Sequence, residues 1–138
     1  MSTLSPAAIE LVQQTFAEVG RNPQQLVEAF YGRLFSLAPD FRPLFPEDMR
    51  EQQKKLLQSL TLVVNNLKKP EAVVPAVQEL GRRHIDYGVK PEHYDTVGAA
   101  LVWALAQQLG PQWNAEVQDA WVAAYTLVAT VMIEASQA

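Results

Sequence analysis

The chain has 138 residues, of which 49% are hydrophobic and 19% are charged, and its formal net charge is −4. This length allows one core, and the composition is that of a folded domain rather than a disordered chain. The acidic balance gives no general attraction to nucleic acid or to an anionic membrane surface. The absence of cysteine excludes disulfide bonds, thiolate catalysis and iron–sulfur ligation. We therefore expect one domain over residues 1–138 that binds neither nucleic acid nor a membrane.

The N-terminal residues lack the basic and apolar regions of a signal peptide. The longest nearly apolar run, Val122 to Ile133, is shorter than the ~20 residues that a membrane-spanning helix needs. Both observations predict a soluble, cytoplasmic protein.

Proline residues divide the chain into helices. Ser5-Pro6 and Asn22-Pro23 each place an N-cap residue before a proline in the first turn, where the missing N–H has no intrahelical partner. Later starts are predicted at Pro46-Glu47-Asp48, Pro70-Glu71, Lys90-Pro91 and Gly110-Pro111. Between these marks, apolar residues recur every three or four positions, without strand-like alternation. The pattern predicts about six helices, with a short turn near 39–45; their bounds are roughly 5–20, 23–37, 47–67, 71–86, 91–109 and 112–135.

Two polar residues stand beside apolar stripes in the first half of the chain. Tyr31 lies in the aromatic-rich segment Phe30 to Phe35, where a tyrosine is usually a core residue whose hydroxyl finds a backbone carbonyl. Gln52 lies one turn before Leu56, where a polar residue usually marks the solvent boundary. Neither residue alone predicts a site.

His84 follows the stripe Val73, Val77, Leu80 by four residues, so we expect its imidazole to face the core. Such a histidine is usually a hydrogen-bonded core residue, and no second ligand stands at zinc-like spacing. His93, in the first turn of the fifth predicted helix, is expected to face water. No nucleophile constellation and no glycine-rich phosphate loop is present, so any chemistry is expected to come from a bound cofactor.

Taken together, these residues resemble the globin family, specifically single-domain bacterial globins related to the haem domain of flavohaemoglobins. Leu80 to Val89, followed by Pro91 to Gly98, resembles the proximal helix and the helix after it, and is also similar to the proximal segment of neuroglobin. Phe30 to Phe45 resembles the second helix and the haem-packing corner, and Ala120 to Tyr125 resembles the last helix. The resemblance covers nearly the whole chain. It implies an all-α globin fold of six to seven helices, in a three-over-three sandwich around haem b.

The resemblance also implies individual roles. His84 matches the proximal iron ligand, Tyr31 the distal tyrosine that hydrogen-bonds an iron-bound ligand, and Gln52 the distal glutamine. Gln53 with Leu57 has the same spacing as Gln52 with Leu56, so the match could shift by one residue and make Gln53 the distal glutamine. Gln52 is preferred because Leu56 and Leu60 then fall on the haem face. The further haem-contacting positions implied are Phe45, Leu56, Leu80, Arg83, Val89, Tyr94 and Val97, with Phe45 wedged against the porphyrin and Arg83 near a propionate.

Tyr94 matches a tyrosine that, in flavohaemoglobins, joins a glutamate in polarising the proximal histidine. With Trp121 and Tyr125 aligned, the glutamate position is held by Ser136. The nearest carboxylate, Glu134, is two residues early, which rotates it by ~200° around the helix. The resemblance therefore implies an ordinary neutral proximal ligand rather than a strongly activated one.

The function implied is reversible binding of dioxygen, or of NO or CO, at a pentacoordinate iron beside a distal tyrosine and glutamine. The alternative is nitric oxide dioxygenation to nitrate, for which an external reductase would supply electrons because no reductase domain is present. Peroxidase or nitrite-reductase chemistry is a further alternative. A non-haem sensor or bilin-binding relative is disfavoured, because covalent bilin attachment needs cysteine and no output domain is present.

Overall fold

The computed structural model describes residues 5–86 and 93–136, without the side chains at positions 70, 83–86 and 136. Within these ranges all regular structure is helical, and the predicted all-α class is confirmed. Six α-helices are linked by two 3-10 turns at Pro39–Leu44 and Gly110–Gln112. The helices are α1 Pro6–Val19, α2 Pro23–Leu37, α3 Arg50–Asn65, α4 Pro70–Asp86, α5 His93–Leu109 and α6 Ala115–Ser136. None of the described helices is long and apolar enough to cross a membrane.

The first two helices begin where the sequence predicts. The Ser5 side chain accepts a hydrogen bond from the backbone N–H of Ala8 at 3.1 Å, and Asn22 accepts one from Gln25 at 3.4 Å. Each cap satisfies a backbone donor that has no partner inside its helix. The N-cap predictions at both positions are confirmed.

The predicted start of α3 at residue 47 is wrong, because the helix begins at Arg50. The Arg42 guanidinium donates to the backbone carbonyls of Phe45, Pro46 and Glu47, at 3.3, 2.9 and 3.0 Å. These carbonyls are held by a side chain from outside the helix, so the segment stays non-helical.

The predicted start of α6 at residue 112 is also wrong. Gly110–Gln112 forms a separate 3-10 turn, and α6 begins at Ala115. The Asn114 side chain accepts a hydrogen bond from the backbone N–H of Val117 at 3.0 Å, which is an N-cap that the proline pattern did not reveal. The predicted start of α5 at residue 91 lies outside the described residues, and His93 is the first helical residue described there.

The helices pack in pairs. α4 lies mainly on α6, α2 on α5 and α1 on α6, whereas α3 contacts α1, α2 and α4 only sparsely. The main core lies between α1, α2, α5 and α6, and a smaller cluster joins α4 to α6. A buried hydrogen bond from Trp121 Nε1 to Thr15 Oγ1, 2.8 Å long, ties α6 to α1.

Gly81 sets the separation of α4 from α6. A Cβ atom at this position would lie 2.7 Å from Met132 Cα and 2.9 Å from its carbonyl carbon, and it would also meet the Met132 carbonyl oxygen. The neighbouring atoms are backbone atoms, which cannot rotate away. Any side chain at position 81 would therefore push the two helices apart, three residues before His84.

Candidate functional site

A cluster of aromatic rings surrounds Tyr31 at the junction of α2 and α3. The Tyr31 side chain is buried, and its ring stacks on Phe35 with centroids 6.0 Å apart. The rings of Phe30 and Phe45 make T-shaped contacts with the Tyr31 ring, with centroid distances of 4.9 and 5.7 Å. Contacts on several sides fix the direction in which the phenol hydroxyl points.

Gln52 of α3 interacts with the Tyr31 hydroxyl. Burial raises the pKa of Tyr31 to about 12, and hydrogen bonding with the Gln52 side chain offsets part of this rise. The phenol therefore stays protonated and able to donate a hydrogen bond at neutral pH. Gln53 lies elsewhere, since its side-chain oxygen accepts a hydrogen bond from Gln24 at 3.5 Å in an exposed contact. Of the two glutamines, Gln52 is the one that adjoins Tyr31.

The apolar stripe of α3 is only partly covered by protein. Among the residues of α3, Val64 is buried, and the apolar residues before it on the same stripe are half-buried against the main core. The stripe consists of Leu56, Leu57, Leu60 and Val63. Phe45 is also half-buried and meets Phe35 in a T-shaped contact at 5.4 Å. A row of apolar residues on a sparsely packed helix is what a large flat apolar cofactor needs on one of its faces.

The α4 stripe faces the core as expected at its first three positions. Val73 and Val77 are buried, and Leu80 is half-buried against the cluster between α4 and α6. His84 lies in α4 four residues after Leu80, and Arg83 precedes it, but both side chains lie outside the described residues. Val89 lies outside the described ranges altogether. Iron ligation by His84 and the haem contacts expected of Arg83 and Val89 stay predictions.

Tyr94 is buried near the start of α5, where the Tyr125 hydroxyl donates a 2.6 Å hydrogen bond to its backbone oxygen. The Tyr125 ring lies so close to Gly98 that a Cβ atom there would be 2.7 Å from the ring. Burial raises the pKa of both tyrosines. Val97 is half-buried against the main core rather than against the cluster that holds Leu80 and Tyr94. Glu134 is exposed on α6.

The expectation that His93 faces water is wrong, because its ring is half-buried against Phe41. The two ring centroids are 4.6 Å apart, in a T-shaped contact. The 3-10 turn at Pro39–Leu44 brings Phe41 to the beginning of α5, a tertiary contact that no local pattern around His93 could reveal.

Comparison with known proteins gives the family. A family profile described as globin matches residues 28–132. The chain belongs to the globin family. Two solved structures with the same fold are also similar in sequence. A bacterial globin from Campylobacter jejuni has a TM-score of 0.85 at 26% identity, with 96% of each chain covered. An engineered carbene transferase from a proposed nitric oxide dioxygenase of Rhodothermus marinus has a TM-score of 0.88 at 26% identity, with 98% of the globin and 94% of that chain covered.

Curated relatives of this globin are longer. It is 30% identical over 133 residues to a flavohemoprotein of Bordetella parapertussis, and 26% identical over 133 residues to one of Bacillus subtilis. Each alignment covers 94% of the globin and 33% of the relative. The globin therefore spans about a third of the length of the curated relatives it matches. The predicted globin fold and the resemblance to flavohaemoglobins are confirmed.

Globins bind haem, and the described side of this site fits it. Among the described residues no group of three or more His, Cys, Asp or Glu could hold a metal ion, so side chains from this part offer no separate metal centre. The half-covered α3 stripe and Phe45 are apolar surfaces that would suit one face of a porphyrin. The buried Tyr31 hydroxyl and the Gln52 amide provide polar groups at one point beside these surfaces. This combination is that of a largely apolar cofactor pocket with a small number of placed donors.

Proposed function

We propose that this globin holds haem b with His84 as the proximal iron ligand, and that it binds dioxygen or another small diatomic molecule beside Tyr31 and Gln52. The observation that carries the proposal is the buried Tyr31 hydroxyl, fixed by aromatic rings and paired with Gln52, next to the half-covered face of α3. When bound, haem supplies a ferrous iron that takes up diatomic ligands reversibly.

The residues of the chain supply the selectivity for the ligand. Tyr31 stays neutral, because its raised pKa lies far above physiological pH, and so it donates a hydrogen bond to a ligand that carries partial negative charge. Gln52 offers a second donor or holds the phenol in place. Leu56 and Phe45 exclude water, which strengthens both hydrogen bonds. On the other side of the cofactor we assign Leu80, Val89 and Val97 to apolar contacts, Tyr94 to the neighbourhood of His84, and Arg83 to a propionate.

Oxygen dissociation from paired variants tests the distal assignment. Tyr31→Phe keeps the ring and removes the donor, so the dissociation rate should rise about tenfold or more, since a hydrogen bond to a charged group contributes about 1.5–3 kcal/mol. Gln52→Leu should raise the dissociation rate less, and Gln53→Leu, which changes the neighbouring glutamine that meets Gln24 instead of Tyr31, should leave it unchanged. An unchanged rate in Tyr31→Phe, or a larger effect at Gln53 than at Gln52, would refute the assignment.

The cofactor is tested separately by visible spectroscopy. Wild-type protein expressed with sufficient haem should show a Soret band, and His84→Ala should lose it or shift it strongly. A protein without a Soret band, or a spectrum unchanged in His84→Ala, would contradict haem ligation by His84.

Nitric oxide dioxygenation is the second candidate, favoured by the similarity to a proposed enzyme of that class and to flavohemoproteins. One NO, one O2 and one electron give one nitrate, so repeated turnover needs an electron donor, for which we propose a reductase located with the globin in the cytoplasm. Nitrate formation over many turnovers with NADH and a cellular reductase supports the enzyme. If nitrate formation stops after one turnover while the same reductase still reduces another acceptor, the result supports a ligand carrier instead of an enzyme.

A further inference from the structure

We propose that a second site, separate from the distal pocket, binds a small amphipathic organic anion: a carboxylate or sulfonate with an apolar, preferably aromatic, body. The site is a cleft of about 750 Å³ between the end of α2, the outer face of α5, Trp113 and α6. Neither Tyr31, Gln52 nor the α3 stripe lines this cleft, whereas Tyr94 borders both the cleft and the proposed haem site. Its size is that of ordinary small-molecule sites, which are roughly 300–1,000 Å³.

The cation in the cleft is Arg33. Its Nε is buried and has no hydrogen-bond acceptor, and its guanidinium carbon lies 5.1 Å from the centre of the Trp103 ring. Within the described part of the chain, Arg33 has no ion pair and no hydrogen bond. The other arginines with described side chains bind carboxylates or backbone carbonyls; they are Arg21, Arg42, Arg50 and Arg82.

A guanidinium without an anion is costly where water is partly excluded. An unsatisfied buried donor loses the hydrogen bonds that it makes to water, and stacking on an indole replaces only part of them. The planar fork of an arginine matches a carboxylate or sulfonate in two parallel hydrogen bonds. The outer nitrogens of Arg33 are therefore the natural anchor for the charged end of a ligand.

The walls of the cleft select an apolar body. Leu37 at the end of α2 is 45% exposed and Val122 of α6 is 44% exposed, so both leave apolar surface open in the cleft that Arg33 lines. Trp113 also lines the cleft and adds an aromatic side chain to its wall. Positive charge beside a continuous apolar wall fits a molecule with one anionic end and one hydrophobic end.

The acidic lining residue lies away from this anchor. Asp95 stands in the first turn of α5, about two helical turns before Trp103, which is roughly 12 Å along the helix. Its charge raises the pKa of Tyr125, which places it near the other end of the cleft. An anion bound at Arg33 therefore avoids the carboxylate, while its body follows Val102 and Val122.

A small molecule fits the cleft better than a second copy of the chain. Arg33 is half-buried with its Nε shielded and lines the cleft, so a ligand that enters the cleft can reach the guanidinium. The net charge of −4 also makes two copies repel each other.

Calorimetric titration with 1-naphthoate tests the proposal on haem-loaded protein under carbon monoxide, which occupies the iron. The neutral isostere 1-naphthylmethanol serves as the ligand control. Arg33→Gln removes the anchor, and Arg21→Gln removes an arginine that is exposed on the surface. We expect saturable binding of 1-naphthoate, at least tenfold weaker binding of the alcohol, at least tenfold loss in Arg33→Gln, and no change in Arg21→Gln.

The proposal would be overturned if wild-type protein bound 1-naphthoate and 1-naphthylmethanol with equal affinity, or if wild type and Arg33→Gln bound 1-naphthoate equally well. The absence of saturable 1-naphthoate binding would overturn it too. Sedimentation velocity tests whether a second copy of the chain occupies the cleft instead. If the protein is a dimer that Arg33→Gln dissociates but 1-naphthoate does not, the cleft belongs to a dimer interface and the proposal is overturned. If Arg33→Gln does not fold, the comparison of the two ligands on wild-type protein decides the question alone.

Discussion

Replacement of Gly81 by alanine should destabilise the protein, although alanine normally favours a helix. The added Cβ would stand 2.7 Å from Met132 Cα, whereas ordinary van der Waals contact begins at 3.4 Å. At that point α4 and α6 must therefore separate by at least about 0.7 Å, the difference between these two distances, because the Met132 carbonyl oxygen lies nearer still. Because the obstacle is backbone, the strain spreads along the largest helix pair of the fold.

The size of the effect follows from two opposing contributions. Alanine in place of a helical glycine contributes about 0.5–1 kcal/mol, and overpacking of a core costs about 1–3 kcal/mol. We expect a net loss of about 1–2 kcal/mol in the free energy of unfolding. Gly32 is the matched control, since a Cβ on this α2 residue has nothing within 4 Å, so Gly32→Ala should gain stability. The two variants should then differ in Tm on the order of 10 °C.

Thermal unfolding followed by circular dichroism measures the stability difference, and haem release to an excess of acceptor apoprotein measures the consequence for the site. Gly81→Ala should release haem faster, because α4 carries His84 three residues further on. A gain of stability in Gly81→Ala like that in Gly32→Ala would show that a Cβ at position 81 does not force α4 and α6 apart. Normal haem release from a clearly destabilised variant would show that the strain is absorbed before it reaches His84.

Three further variants test other contacts. Thr15→Val should cost about 1–3 kcal/mol because it leaves the buried Trp121 N–H without its acceptor. In urea unfolding, the loss in the double variant with Trp121→Phe should be smaller than the sum of the two single losses, because both changes remove the same hydrogen bond. The pKa of Tyr31 is about 12 in the folded protein and near 10 when the chain is unfolded, so stability should fall as pH rises through this window; between pH 9 and pH 12, Tyr31→Phe should remove about 2 kcal/mol of that fall, measured by unfolding at the two pH values. Gly98→Ala should move the Tyr125 ring and so break the hydrogen bond from the Tyr125 hydroxyl to the Tyr94 backbone oxygen. We expect it to destabilise the protein about as much as Tyr125→Phe, with little added loss when both changes are combined. Fully additive losses would show that Gly98 does not position the Tyr125 ring.

Local rules predicted most of the helices, because prolines and N-caps act through neighbouring backbone groups. Ser5 and Asn22 cap the helices that they precede. The start of α3 escaped prediction because one long side chain, Arg42, binds three carbonyls that would otherwise begin the helix. The start of α6 escaped because the cap at Asn114 follows the proline rather than preceding it.

The candidate site was less accessible to local reasoning. Tyr31 and Gln52 are each ordinary residues in their own helices, and only the family resemblance placed them together; their contact is in the structure, and their action on a ligand stays a prediction. The partial burial of His93 could not be predicted locally, because Phe41 contacts its ring from a turn that is distant in sequence. The stacking of Arg33 on Trp103 joins residues far apart in the chain, so no spacing rule could reveal it.

The sparse packing of α3 also bears on how the protein fares in the cell. A helix that few protein neighbours support owes part of its stability to whatever fills the space beside it, and a ligand that binds only the folded chain stabilises it in proportion to the logarithm of its free concentration. With haem in that space, the supply of the cofactor would set the fraction of newly made chains that stay folded. Chains synthesised during a haem shortage would open first at α3, presenting Leu56, Leu60 and Val63 to chaperones and proteases. Abundance of the protein would then follow haem supply without any change in the expression of its gene.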